Sequence, residues 1–184
     1  TAHPETIYLT VVDKDLNAVS FINSIAFAFG SGITSKNTGV LLQNRGVNFR
    51  LQKNHPNSFD GHKRPLHTII PGLVTDNNEV VLSYGVMGGQ YQPVGHSQVL
   101  QNIFDFGMNV QEAIDFPRAF YLNDKYKFEK SFPKDILEQL KNKGHDTIYT
   151  DETHGGGQAI FIDRNKGVLI GGSDFRKDGC AIGY

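Results

Sequence analysis

Thr6-Ile7-Tyr8-Leu9-Thr10-Val11-Val12 is followed, after Asp13, by Lys14-Asp15-Leu16-Asn17 and then by Ala18-Val19-Ser20-Phe21-Ile22-Asn23-Ser24-Ile25. The outer runs are rich in β-branched and aromatic residues, which fit a pleated, half-buried surface. The polar tetrapeptide between them carries turn chemistry. The stretch therefore reads as a β-hairpin centred near Asp15. Counting outward from that centre sets Thr6 opposite Ser24, hydroxyl against hydroxyl at the open end of the hairpin.

Working outward, Gly39–Leu42 predicts a short strand, followed by a polar loop through Gly61. His67–Thr75 predicts an extended segment that pairs with Glu79–Val86 across Asp76-Asn77-Asn78. Ser97–Phe106 places Val99, Leu100, Ile103 and Phe104 at helical spacing. Asn109 predicts a cap for a short helix through Ile114, with Glu112 three residues on and Pro117 as the stop. Pro133 opens a further helix bearing Ile136, Leu137 and Leu140 and ending at Gly144. Strands resume at Thr147–Thr150, Gln158–Asp163 and Gly167–Gly172. Strands, then helices, then strands argue for sheets layered with helices rather than a parallel βαβ sheet. No linker or repeat divides the chain, so residues 1–184 read as a single domain.

The charge balance, net −1, shows no basic excess that would point to nucleic acid. The longest apolar runs are too short to span a bilayer. A single cysteine, Cys180, forms no internal disulfide; this suits a cytoplasmic setting and is compatible with a periplasmic one. The histidines at 3, 55, 62, 67, 96, 145 and 154 lack ligand-like spacing with cysteines or carboxylates, so no metal and no other cofactor is expected. Gly155-Gly156-Gly157-Gln158 precedes a strand instead of a helix, unlike a nucleotide-binding glycine loop. Glycines elsewhere cluster as well, notably Gly85, Gly88 and Gly89, where close backbone approach or a tight turn is the expected use.

The chain opens on Thr1 with no initiator methionine. A free α-amine, titrating ordinarily at about 7.7–8.0, can take the proton from a threonine hydroxyl and make it a nucleophile. A trimmed or fragmentary chain would open the same way.

Four segments carry a resemblance. They are the opening hairpin, Leu41-Leu42-Gln43-Asn44-Arg45-Gly46-Val47-Asn48-Phe49, Lys63-Arg64-Pro65-Leu66-His67-Thr68-Ile69-Ile70-Pro71, and Gly85-Val86-Met87-Gly88-Gly89-Gln90. At these residues, and in the tail Gly172-Ser173-Asp174-Phe175-Arg176-Lys177-Asp178-Gly179, the chain resembles the small, catalytic subunit of γ-glutamyltranspeptidases. These are N-terminal-nucleophile (Ntn) hydrolases made by self-cleavage of a precursor. The resemblance implies a four-layer αββα sandwich of α+β class, completed by a large subunit in a heterodimer. That partner would supply part of the pocket, including a basic residue for the substrate carboxylate. The small subunit alone is then expected to expose a large apolar surface.

The implied reaction is acyl transfer from a small-molecule amide through a threonyl acyl-enzyme to water or an amine. Gly88 and Gly89 match the paired glycines whose amides bind the oxyanion. Ser24 matches a threonine that hydrogen-bonds the nucleophile. His67 and Thr68 stand where a serine pair binds the α-carboxylate of a γ-glutamyl group; Thr68 keeps a hydroxyl, while His67 is equally readable as a structural histidine beside Pro65.

The chain also departs from the family pattern. Asn48 replaces an aspartate that pairs with the α-ammonium, and Ala26 replaces an asparagine at the same end of the substrate. Arg45 replaces a glutamine and adds positive charge. Together these weaken recognition of a zwitterionic head group and favour glutaryl-like acids. Finally, an ungapped match through Val11-Val12-Asp13 puts Thr6 on the family nucleophile, whereas the chain's first residue is Thr1. Register favours Thr6 and the terminus favours Thr1, so both stand as candidates. The competing reading is a degenerate homologue kept as a binding or scaffold subunit. The lost head-group residues favour it; retention of Thr6, Ser24, Gly88 and Gly89 opposes it.

Overall fold

A computed structural model describes residues 4–184. The hairpin forms from strand β1 (Pro4–Val12) and strand β2 (Ala18–Phe27), paired antiparallel. Asp13 closes it: its Oδ1 accepts the backbone N–H of Asp15 at 2.9 Å and of Asn17 at 2.8 Å, and its Oδ2 accepts the Asn17 side-chain amide at 2.9 Å. The ladder pairs Ile7 with Asn23 but Glu5 with Ala26. Ser24 and Ile25 therefore share the place opposite Thr6, a bulge of the kind that re-aims a side chain.

Alternation decides what the hairpin hides. Tyr8 and Val12 are buried and Thr6 and Thr10 half-buried, whereas Ile7, Leu9 and Val11 are exposed. The hidden face lies on a second sheet of order β3 (Gly72–Asp76), β4 (Glu79–Met87), β8 (Gly156–Asp163) and β9 (Val168–Ser173), antiparallel throughout. The β3–β4 turn uses Asn77 and Asn78 at φ 49° and 65°, the left-handed pair that a tight hairpin requires.

The far side of this sheet carries helix α1 (Gln92–Phe104) and helix α2 (Val110–Asp115). Leu82, Tyr84 and Val86 of β4 pack there with Tyr91, Val99, Val110, Ile114 and Ala159. Their neighbours Ser83 and Gly85 face the hairpin instead. Asn109 and Glu112 cap α2 reciprocally, each side chain accepting the other's backbone N–H at 2.9 Å, as the sequence predicted. Helix α1 starts well before Ser97, because Pro93 in its first turn is pre-set for helix and its missing N–H would be unbonded there anyway.

Three features differ from the sequence expectations. Gly39–Leu42 forms no strand: Ser35 and Gly39 close a tight loop, and only an isolated bridge joins Thr34 to Leu41. Of His67–Thr75, only Gly72 onward pairs; Pro71, lacking a donor, ends the ladder. A third sheet also appears, built from β5 (Ala119–Leu122), β6 (Lys125–Glu129) and β7 (Thr147–Thr150). Its β6–β7 pair is parallel and is bridged by helix α3 (Lys134–Asn142). One βαβ step therefore exists after all, in a charged segment whose alternation is too short to announce it.

The class is α+β. Within the described residues a two-stranded sheet, a four-stranded sheet and a helical layer stack in that order. The outer face of the hairpin, with Ile7 69%, Val19 51% and Phe21 51% exposed, is apolar and open. No helix of the described residues is long and apolar enough to cross a membrane.

Candidate active site

Two contacts set the hairpin against the sheet beneath it. Thr10 Oγ1 donates to Ser83 Oγ at 2.6 Å. The Tyr8 ring covers Gly85 so closely that a Cβ there would lie 2.4 Å from it. The Tyr8 hydroxyl is itself held 2.7 Å from Ser20 Oγ. Two residues beyond Gly85, β4 ends at Met87, which leads directly into Gly88 and Gly89. Strand β1 also touches the 3₁₀ turn Gly89–Tyr91. Thr6 and the paired glycines therefore meet at the same end of the sandwich.

The glycines are required by geometry. Gly88 has φ 130° and Gly89 φ 58°, conformations that L side chains rarely adopt. A Cβ on Gly88 would lie 2.8 Å from the Cα of Gly155, and one on Gly155 would lie 2.2 Å from the Met87 carbonyl oxygen. Backbone thus packs on backbone, as a turn aiming its amides at a ligand needs.

Beside this end, Asn44 laces the following loop to β2. Its N–H donates to the Ile25 carbonyl, and its Oδ1 accepts the Phe27 N–H, both at 3.1 Å. That lacing brings Arg45 under the strand. Arg45 Nη2 donates to the Ser24 carbonyl at 3.4 Å and Nη1 to Thr68 Oγ1 at 3.2 Å. Arg45 is buried, burial pulls its pKa down, and among the described residues no carboxylate pairs with it. Asn48 donates from Nδ2 to the Leu66 carbonyl at 3.1 Å, tying its loop to the segment that carries Thr68. Ser24 Oγ accepts the N–H of Ala26 at 3.1 Å, and Ala26 sits at φ 78°, a strained position for a residue with a Cβ.

Ser24, Arg45 and Thr68 thus form one polar cluster, and Asn48 is tied at Leu66 to the segment that carries Thr68. His67 is exposed. Thr1 lies outside the described residues. A cavity of about 620 Å³ runs between β1, β8 and the tail Gly179–Tyr184 and includes none of the cluster. Among the described residues no group of histidine, cysteine and carboxylate side chains is arranged to hold a metal.

A buried charge network went unread in the sequence. Arg118, between α2 and β5, donates from Nη2 to Asp174 Oδ2 at 2.7 Å and from Nη1 to the His154 carbonyl at 2.7 Å. Arg176 grips Glu129 with two bonds, Nε to Oε1 at 2.7 Å and Nη2 to Oε2 at 2.6 Å, and reaches Asp174 Oδ1 at 3.2 Å. Burial alone would raise the Glu129 carboxyl, but Arg176 and the backbone N–H groups of His154 and Arg118 outweigh it and hold the group below its ordinary value. Burial pulls the Arg176 guanidinium down, and Glu129 and Asp174 more than restore it. The one signal in the sequence was charge inside apolar surroundings, as in Phe116-Pro117-Arg118-Ala119-Phe120.

Stability contributed by ionised Glu129 is complete above the ordinary glutamate value of about 4.3 and is lost as pH falls through the lower folded value. The melting temperature is therefore expected to drop as pH is taken from about 6 to about 3. Glu129→Gln should lower it at the upper pH and flatten the dependence. A Glu129→Gln protein with the wild-type pH slope would contradict this.

The stacked sheets, the helical layer behind them and the threonine-bearing hairpin define a layered α+β class. Residues 1–184 match the sequence model of the family described as Gamma-glutamyltranspeptidase. The chain is 38% identical, over 97% of its length, to the glutathione hydrolase-like YwrD proenzyme of Bacillus subtilis (strain 168), and covers 36% of that protein. It is 35% identical, over 98% of its length, to the oxamate amidohydrolase proenzyme of Klebsiella pneumoniae, again covering 36%. In structure it resembles a cephalosporin acylase from Bacillus halodurans, with TM-score 0.91 and 44% identity over 97% of this chain and 35% of that one. It also resembles an acivicin-inhibited γ-glutamyltranspeptidase, with TM-score 0.83 and 30% identity over 94% of this chain and 99% of that one. The chain belongs to the γ-glutamyltranspeptidase family, in which it corresponds to the small-subunit region. It spans about a third of the length of these two curated relatives.

Proposed function

We propose that this chain is the catalytic part of an amide hydrolase or acyltransferase in which Thr6 is the nucleophile. The observation that supports this most is the registry of β1, in which Thr10 lies on Ser83, Tyr8 lies over Gly85 and Thr6 faces the Ser24–Ile25 bulge. Cleavage of the Glu5–Thr6 bond would free an α-amine at Thr6. That amine takes the hydroxyl proton as the oxygen attacks the amide carbonyl. The Gly88 and Gly89 N–H groups donate to the oxyanion, each such donor being worth about 3–4 kcal/mol at the transition state. The amine then protonates the leaving group, and water or an acceptor amine releases the acyl group from Thr6.

Arg45 supports a substrate class. A buried guanidinium with no carboxylate partner among the described residues is costly unless a substrate supplies one, and it donates instead to Thr68 and the Ser24 carbonyl. Asn48 brings no charge for an α-ammonium. The acyl group therefore carries a carboxylate and no α-amino group, as a glutaryl amide does. Hydrolysis of a glutaryl anilide is expected to exceed that of the γ-glutamyl anilide by about tenfold or more in kcat/KM, the order of one charged hydrogen bond. Arg45→Leu should raise KM for both anilides, because each carries the carboxylate that Arg45 would hold. A strong γ-glutamyl preference would defeat the assignment, and no turnover of either would favour a scaffold.

The open apolar face of the hairpin supports a partner as a further part of the proposal. A large subunit from the same precursor covers it, supplies the fourth layer of an αββα sandwich and closes the substrate pocket.

A further inference from the structure

The charge network touches no candidate substrate group, yet what it grips lies directly behind the paired glycines. Glu129 Oε1 accepts the His154 N–H at 3.1 Å, Arg118 donates to the His154 carbonyl at 2.7 Å, and Asp174 Oδ2 accepts the Gly157 N–H at 2.7 Å. Three backbone groups of the segment His154–Gly157, where the loop runs into β8, are thereby fixed. The residue between them, Gly155, is the floor on which Gly88 rests, since a Cβ on Gly88 would come within 2.8 Å of its Cα. Gly156 and Gly157 pair with Met87 and Val86 in the ladder leading into Gly88. The same loop braces the far end of the turn: the His154 ring stacks on Tyr91 with centroids 5.7 Å apart, and the Arg118 guanidinium lies 5.8 Å from the centre of that ring.

We infer that Arg118, Glu129, Asp174 and Arg176 form a positioning device that holds the Gly88-Gly89 amides in their donating orientation through the His154–Gly157 loop. The inference rests on the acyl-transfer reading above. Two guanidinium groups and two carboxylates balance in charge, and each is at least nine-tenths buried. Such a cluster adds little net stability compared with an apolar core of the same volume. What it does supply is a rigid multi-point grip. Two successive N–H donors aimed at one oxygen need that, because the catalytic gain depends on their being fixed before charge develops.

The test uses the processed two-chain enzyme carrying Arg118→Lys, in which an ammonium can no longer span both Asp174 and the His154 carbonyl. Three quantities are read: kcat, KM for an anilide substrate, and affinity for a boronic acid analogue of the acyl group. The boronate takes the Thr6 oxygen into a fourth bond to boron and mimics the tetrahedral intermediate. Misaligned donors are expected to cost about 10–100-fold in kcat. KM should stay within about threefold, and boronate affinity should fall by the same factor as kcat. Asp174→Asn, which keeps an acceptor for the Gly157 N–H but loses the charge, should show the same split in smaller degree, and it carries the test if Arg118→Lys does not fold. Unchanged kcat and boronate affinity alongside a lowered melting temperature would overturn the inference and leave a purely structural network. So would a loss confined to KM. A wild-type enzyme inert toward all the amides would overturn the acyl-transfer reading itself, and the positioning role with it.

Discussion

Thr6→Ala is expected to leave the Glu5–Thr6 bond intact and to lower amide turnover by about 10⁴-fold or more, the scale of losing a nucleophile. The expectation follows from registry. Thr10 is tied to Ser83 and Tyr8 lies over Gly85, and a strand allows side chains onto one face only at every second residue. The next inward hydroxyl toward the paired glycines is therefore that of Thr6. Thr6→Ser should keep the hydroxyl and retain partial cleavage and turnover. Thr1→Ala, by contrast, should be nearly silent, since it is Thr6 that the register sets against Ser24 and Ile25. Intact mass and anilide hydrolysis of the three variants check this. A cut and active Thr6→Ala protein would exclude Thr6.

Gly88→Ala is expected to lower kcat by about 10²–10³-fold, the cost of displacing an oxyanion donor. The added methyl meets the Cα of Gly155 at 2.8 Å, and the backbone at φ 130° disfavours any side chain. Nothing soft is available to yield, because Gly155 is itself pressed against the Met87 carbonyl. Gly61→Ala serves as a control: nothing lies within 4 Å of that Cβ, and its kcat should equal that of wild type. Circular dichroism and melting temperature separate misfolding from misalignment. A folded Gly88→Ala enzyme with full kcat would remove the glycine pair from the mechanism.

Local chemistry made much of this legible in the sequence. The Asp13-to-Asn17 turn, the Asn109–Glu112 cap and the Asn77-Asn78 hairpin all announce themselves through residues whose side chains or φ preferences act within a few positions. Counting along the hairpin set Thr6 opposite Ser24 alone, whereas a bulge leaves both Ser24 and Ile25 facing it, and nothing in the β2 sequence marks the extra residue. What remained hidden is long-range. Glu129 lies in β6 and Arg176 beyond β9, and only the folded chain brings their side chains to 2.6 Å. Arg45 was visible as a departure from the family pattern. Its burial under Ser24 depends on the Asn44 lacing, which spacing alone does not reveal. Strands β5 and β6 escaped because Lys125-Tyr126-Lys127-Phe128-Glu129 is short and charged, and its pairing is decided by tertiary context rather than by propensity.

The central claim is that the hydroxyl of Thr6, freed with its own α-amine, is the attacking group. Treating the mature two-chain protein with an amide-mimicking electrophile and sequencing the labelled peptide tests it most directly. The account requires the label on Thr6 and Thr6 as the first residue of its peptide. A label on any other residue, or an active enzyme in which Glu5 still precedes Thr6, would contradict it.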